Sequence, residues 1–140
     1  MGVYEYKGCL FECSPPGTSV AHCVSANLRC GRGFARLCRG QDFADLRRQQ
    51  VRVGGVAVGW QDGRQIFNLV TKKHHTDIPT LWAIRESLYE LRRLCYMHGV
   101  RDICSPALAS GLDTHNWVTI REMLHDIFWN CDINIHVYHL

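Results

Sequence analysis

The stretch "NLVTKKHHTD" at 68–77 ends an apolar run, Ile66 to Val70, in two lysines and two histidines. A lysine just past a buried strand has two fates. It snorkels to solvent, or it lies against a pocket, partly desolvated, where its amine can act as a nucleophile. His74 and His75 are candidate general bases or metal ligands. Adjacent histidines seldom share one metal, which favours a solvated loop for them. Two other stretches carry chemistry. In "CGRGFARL", Gly31 and Gly33 make either a simple turn into a helix or a backbone cradle for an anion, usually a phosphate. In "SPALASGLDTHNW" at 105–117, small residues lead to Asp113. Asp113 is either a helix N-cap or a carboxylate on the rim of a pocket.

The chain around them has 140 residues, enough to bury about 70% of its unfolded surface without staples. With 46% hydrophobic and 21% charged residues it reads as one ordinary globular domain, 1–140. The formal net charge of +3 suits an anionic ligand but is no nucleic-acid signature. Eight cysteines raise disulfides or zinc, yet none forms a C-x-x-C pair and several sit in apolar segments such as "AHCVS" and "DICSP". No metal and no cofactor are expected. The N-terminus lacks a signal-peptide core, "MGVYEY" has Tyr6 where a myristoylation site wants Ser or Thr, and no segment approaches a membrane span. An intracellular home, nuclear or cytoplasmic, and a monomer without membrane contact are the expectations.

Elements must hold these residues in place. "VAHCV" at 20–24, "VRDICSPA" and the terminal "INIHVYHL" read as strands. "VGGVAVGWQDGRQIFNLVT" holds two apolar runs around Asp62-Gly63, a two-residue hairpin turn. "DFADLRRQQ" at 42–50 reads as an exposed helix. A long helix is expected from Asp77, with Pro79 in its first turn, Leu81, Ile84, Leu88, Leu91 and Cys95 on one face, and Gly99 at its end. Trp117, Ile120, Leu124, Ile127 and Phe128 mark a second amphipathic helix. Alternating strands and helices with one hairpin give a mixed sheet between helical layers, an α/β/α sandwich. Ligands of such sheets bind beyond the carboxyl ends of strands, here the loops 25–33, 72–79 and 106–113.

Taken in order, "VAHCVSANLRCGRGFARL", "IFNLVTKKHHTDIPT", "SPALASGLDTHNW" and "INIHVYHL" resemble a macro domain. Within that family they resemble the terminal ADP-ribose protein glycohydrolase branch, related to the macro domain of the ALC-type chromatin remodeller. The resemblance runs from about Tyr4 to Leu140. It implies that Lys72, first lysine of the "TKK" motif, attacks the anomeric carbon of the distal ribose, and that Asp113 of "GLD" handles protons and helps release the product. It implies a pyrophosphate held by backbone N–H groups around Gly31, Arg32, Gly33 and Phe34 and around Ala109, Ser110, Gly111 and Leu112, with further ADP-ribose contacts at Cys9, Leu10, Ser25, Thr71, Pro106 and Ala107. The implied partners are ADP-ribose and ADP-ribosylated proteins, with nucleic-acid adducts left open.

Two positions depart from the pattern. The family commonly places an aspartate after the first strand to accept from the adenine amino group, and here Gly8 is followed by Cys9, a poor acceptor. The second loop commonly opens with glycine and here opens with Ala109, whose side chain disfavours a positive φ. The resemblance implies a hydrolase that removes ADP-ribose from acidic side chains and related esters. A non-catalytic ADP-ribose reader is the alternative, and it would need neither Lys72 nor Asp113. A nucleic-acid module using "RCGRGFAR" and "DLRRQQ" lacks interleaved aromatics and a large positive charge.

Overall fold

The computed structural model describes residues 2–110 and 115–140. The apolar run of the sequence lies in β4 (Arg64–Lys72), which is buried from Arg64 to Thr71. A strand covered on both faces needs an apolar run instead of strict alternation. β3 (Val56–Gln61) pairs antiparallel with it through a hairpin in which Asp62 and Gly63 have φ of 52° and 75°. Two positive φ values are what a twist-matched two-residue turn demands. β1 (Gly2–Lys7), β2 (Ser19–Ser25), β5 (Asp102–Pro106) and β6 (Asn134–His139) complete a six-stranded mixed sheet of order β1-β6-β5-β2-β4-β3. Apart from the hairpin its pairs are parallel, so the carboxyl ends of β2, β4 and β5 lie together at one edge.

One face of the sheet carries α3 (Leu81–His98) and α4 (Trp117–Phe128). Ile84, Leu88 and Leu91 pack there with Ile120, Leu124 and Phe128 against Ala21, Phe67, Leu69, Ile103 and Ile135. Burying side chains such as Leu88 and Phe128 contributes about 1.5–3 kcal/mol each. The other face carries α1 (Leu10–Cys13), a 3₁₀ segment (Gly33–Cys38) and α2 (Phe43–Arg48). This is the expected α/β/α arrangement.

Three local expectations are corrected. The long helix starts at Leu81, not Asp77. Thr80 caps it, its hydroxyl accepting from Ala83 N at 3.0 Å. Pro79 holds Ile78 out of the helical region and stands just before the cap, its carbonyl accepting from His115 Nε2 at 2.6 Å. Residues 73–79 are thereby freed as loop, and Leu81 is exposed instead of core. The glycine-rich stretch enters a 3₁₀ segment and not an α-helix, with Gly33 at φ 59°. Helix α2 is not wholly solvated, since Leu46 is buried against Val24, Ala57 and Val70. The Gln49 side chain that follows it accepts from Val58 N (2.9 Å) and donates to Val58 O (2.8 Å) on β3. All eight cysteines are free thiols. Burial pushes the Cys38 and Cys95 thiols up to about 12, so both are inert small hydrophobes.

Candidate active site

The loops after β2, β4 and β5 enclose a cleft of about 720 Å³, the size of a site for a small organic ligand. From β2 and its loop come His22, Cys23, Val24, Ser25, Arg29, Gly31, Arg32 and Gly33, with Phe34 and Ala35 behind them. β4 and its loop supply Lys72, His75, Thr76, Asp77 and Ile78, and β5 supplies Pro106, Ala107, Leu108 and Ala109.

Lys72 is the last residue of β4 and is half-buried on the cleft wall. β2 and β4 run in register through Val24 and Val70, then slip so that Ser25 stands opposite Lys72. Thr71 is passed over. An extra residue in a ladder bends the strand and re-aims the next side chain. The displaced backbone is tied down by Ala26 N, which donates to Lys72 O at 2.8 Å. Lys73, one residue further, is exposed and off the wall.

The rim after Lys72 is braced internally and across the opening. Asp77 accepts from His74 N at 3.0 Å, and Asp77 N donates to His74 O at 3.0 Å, which closes the turn 74–77. His75 Nδ1 accepts from Asn27 Nδ2 at 3.3 Å, and Ser25 Oγ donates to Asn27 Oδ1. A polar string thus joins the loop after β2 to the loop after β4.

His22 lies at the back of the cleft, almost fully buried. Its Nε2 donates to Asn68 Oδ1 at 2.6 Å. Asn68 in turn donates to Gln41 Oε1 (2.9 Å) and Ala57 O (3.0 Å). The amide orientation leaves the imidazole its proton on Nε2, and Nδ1 has no protein partner. Burial pulls the His22 pKa down to about 4, and the Asn68 contact only partly offsets that. His22 is therefore a neutral wall residue, not a cation for a phosphate. Arg29, Arg32 and Lys72 supply the positive charge of the wall.

The other cleft side depends on Phe34, whose ring stacks on Phe11 of α1 with centroids 5.6 Å apart. Phe11 is held from beneath by the buried Arg64, whose guanidinium lies 5.5 Å from that ring and donates to Ser14 Oγ at 2.8 Å. Ala109 has φ 56°, the left-handed conformation that a glycine would take without strain. Ser110 Oγ donates to Ala107 O at 2.9 Å and closes that turn.

Among the residues singled out in the sequence, the cleft brings together Ser25, Gly31, Arg32, Gly33, Phe34, Lys72, His75, Pro106, Ala107 and Ala109, so that His75 is a wall residue and not simply part of a solvated loop. Cys9, Leu10, Thr71 and Ser110 are off its described wall. Leu10 packs in a small core with Val20, Ile66 and Cys104, Cys9 sits at the N-cap of α1 without a side-chain cap bond, and Thr71 is buried with its hydroxyl unpartnered. Gly111, Leu112 and Asp113 lie outside the described residues. Sequence reasoning passed over His22, Arg29, Asp77 and Ile78 on the wall. Their position next to "VS" or just after "TKK" was the available signal. No cluster of His, Cys, Asp or Glu able to hold a metal occurs among the described residues.

Comparison with known proteins adds the deciding observation. The chain is 38% identical to the ADP-ribose glycohydrolase OARD1 of Homo sapiens over 136 residues, covering 96% of this chain and 89% of that protein. It belongs to the macro-domain family of ADP-ribose glycohydrolases. No protein-family model matches the chain. This macro domain has the fold of the Thermus aquaticus DarG macrodomain, with a TM-score of 0.80, 23% identity and 97% coverage of both chains. The Thermosipho africanus DarTG structure, a complex with ADP-ribose, matches at a TM-score of 0.79 and 14% identity, covering 98% of this macro domain and 42% of that chain.

Proposed function

We propose that this macro domain hydrolyses the ester between ADP-ribose and an acidic side chain, with Lys72 as nucleophile. One observation carries the reading: the register slip after Val24 sets Lys72 on the cleft wall, opposite Ser25 and beside a loop of small residues. The 38% identity to an ADP-ribose glycohydrolase supports the substrate.

The ADP-ribose enters with its diphosphate along the loop of Gly31, Arg32 and Gly33. Loop amides hold it, since the 3₁₀ segment is too short to supply a strong dipole. Arg29 and Arg32 add charge, and Phe34 walls the adenosine side. The neutral Lys72 amine attacks the anomeric carbon of the distal ribose. The new C–N bond forms as the ester C–O bond breaks, and the carboxylate departs with the electron pair. Water then releases ADP-ribose and regenerates the amine, with Asp113 moving the protons. Splitting one displacement into two is the general gain from a covalent intermediate.

The test is release of free ADP-ribose from a protein mono-ADP-ribosylated on glutamate, compared between wild type and Lys72→Ala. Wild-type release that Lys72→Ala abolishes is the expected result. Binding of ADP-ribose by wild type with no release from any linkage would make the protein a reader instead.

A further inference from the structure

The rim that follows Lys72 carries exposed apolar side chains. Ile78 is 67% exposed, Leu81 40% and Trp82 64%. Ile78 lines the cleft, on the same loop as Lys72, and Leu81 and Trp82 open α3 directly after it. The three residues thus lead along the chain from the cleft wall at Ile78 onto the first turn of α3, downstream of Lys72. From Lys72 to Ile78 the chain spans at most about 21 Å, the length of six extended residues. A largely exposed tryptophan is the side chain most enriched at binding hot spots, and here it stands one turn from the cleft rim with apolar neighbours in the chain.

We infer that Ile78, Leu81 and Trp82 form a docking surface for the polypeptide that carries the ADP-ribosylated residue, and that they select a bulky apolar side chain within about six positions of it. This rests on the reading of Lys72 as the group at the scissile end. Local charge favours a polypeptide over a nucleic acid. Between residues 73 and 86 the exposed charges are Lys73 and Arg85 against Asp77 and Glu86, two of each sign. A phosphate backbone needs an uncompensated positive track, and the patch has none.

The experiment measures binding to Lys72→Ala, which blocks turnover on the proposed reading. The probes are free ADP-ribose, two nonapeptides ADP-ribosylated on a central glutamate, and an ADP-ribosylated oligonucleotide. One peptide carries phenylalanine three positions from the glutamate and the other carries serine there. The phenylalanine peptide should bind about tenfold tighter than the serine peptide, the gain from burying part of an aromatic side chain. Trp82→Ala, and separately Leu81→Ser, should erase that difference and leave free ADP-ribose within about twofold. Equal binding of the two peptides, or a preference that survives both substitutions, overturns the docking surface. So does a loss confined to the oligonucleotide, or a Trp82→Ala loss that extends to free ADP-ribose. If free ADP-ribose itself fails to bind, the functional reading falls rather than the docking surface alone.

Discussion

Ser25 and Lys72 face each other across β2 and β4 because Thr71 is passed over in the ladder. In an unbroken register Ser25 would meet Thr71, and Lys72 would fall one step further along. The slip brings Lys72, and not Thr71, opposite Ser25 where the strand end meets the cleft wall, while the adjacent Lys73 is exposed and off that wall.

That separation is measurable. Lys72→Ala should lower ADP-ribose release at least about a thousandfold, as expected for loss of a nucleophile. Lys73→Ala should change it by less than about threefold, because Lys73 points to solvent. Single-turnover release from a glutamate-linked substrate checks both. Comparable losses from the two substitutions would refute the assignment.

Ala109 holds a left-handed backbone at φ 56°. An L-residue there costs about 1–2 kcal/mol, and glycine returns part of the gain through a freer unfolded chain. Ala109→Gly should therefore stabilise the fold by about 0.5–1 kcal/mol in urea unfolding. A destabilised variant would mean that the turn 107–110 does not hold this geometry in solution.

His22 makes stability depend on pH. Its folded pKa is depressed to about 4, below the ordinary 6.5, so the unfolded chain takes up the proton first. The neutral form's contribution is complete above about pH 6.5 and falls as pH drops toward 4, by up to about 3 kcal/mol in all. Urea midpoints at pH 7.5 and 4.5 should differ less in His22→Asn than in wild type. An equal pH dependence in both proteins would place the lost stability on other groups.

Cys9 stands where the family pattern expects an adenine-binding carboxylate, although it lies at the N-cap of α1 and off the described wall of the cleft. Cys9→Asp should tighten ADP-ribose about tenfold to a hundredfold, the worth of a charge-assisted hydrogen bond of about 1.5–3 kcal/mol. Binding of ribose phosphate, which lacks the base, should stay the same. Calorimetry with both ligands separates a contact to adenine from a general stabilisation of α1.

Much of this architecture is legible in the sequence. The run Ile66–Val70, the Asp62-Gly63 turn and the spacing of Ile84, Leu88 and Leu91 are each dictated by local chemistry, and the strand-end rule found the three loops of the cleft. What stayed hidden depends on longer range. Pro79 fits the first turn of a helix and the residue before a cap equally well, and only the Thr80 hydroxyl decides between them. The passed-over Thr71 has no mark in the sequence, because a single slip leaves both strands with an ordinary composition. His22 reads as one more residue of an apolar strand. Its network with Asn68 and Gln41 joins positions far apart in the chain, which no local pattern can reveal.

The two contacts from Gln49 to Val58 have a consequence for how the molecule keeps to itself. β3 is a sheet margin, and Val58 is the middle one of its outward-facing positions, between Val56 and Trp60. A glutamine amide offers the same donor and acceptor pair as a peptide group, so Gln49 serves as a one-residue strand. A foreign chain seeking to extend the sheet there meets a ladder already closed at its centre, and would have to displace both bonds before its own could form.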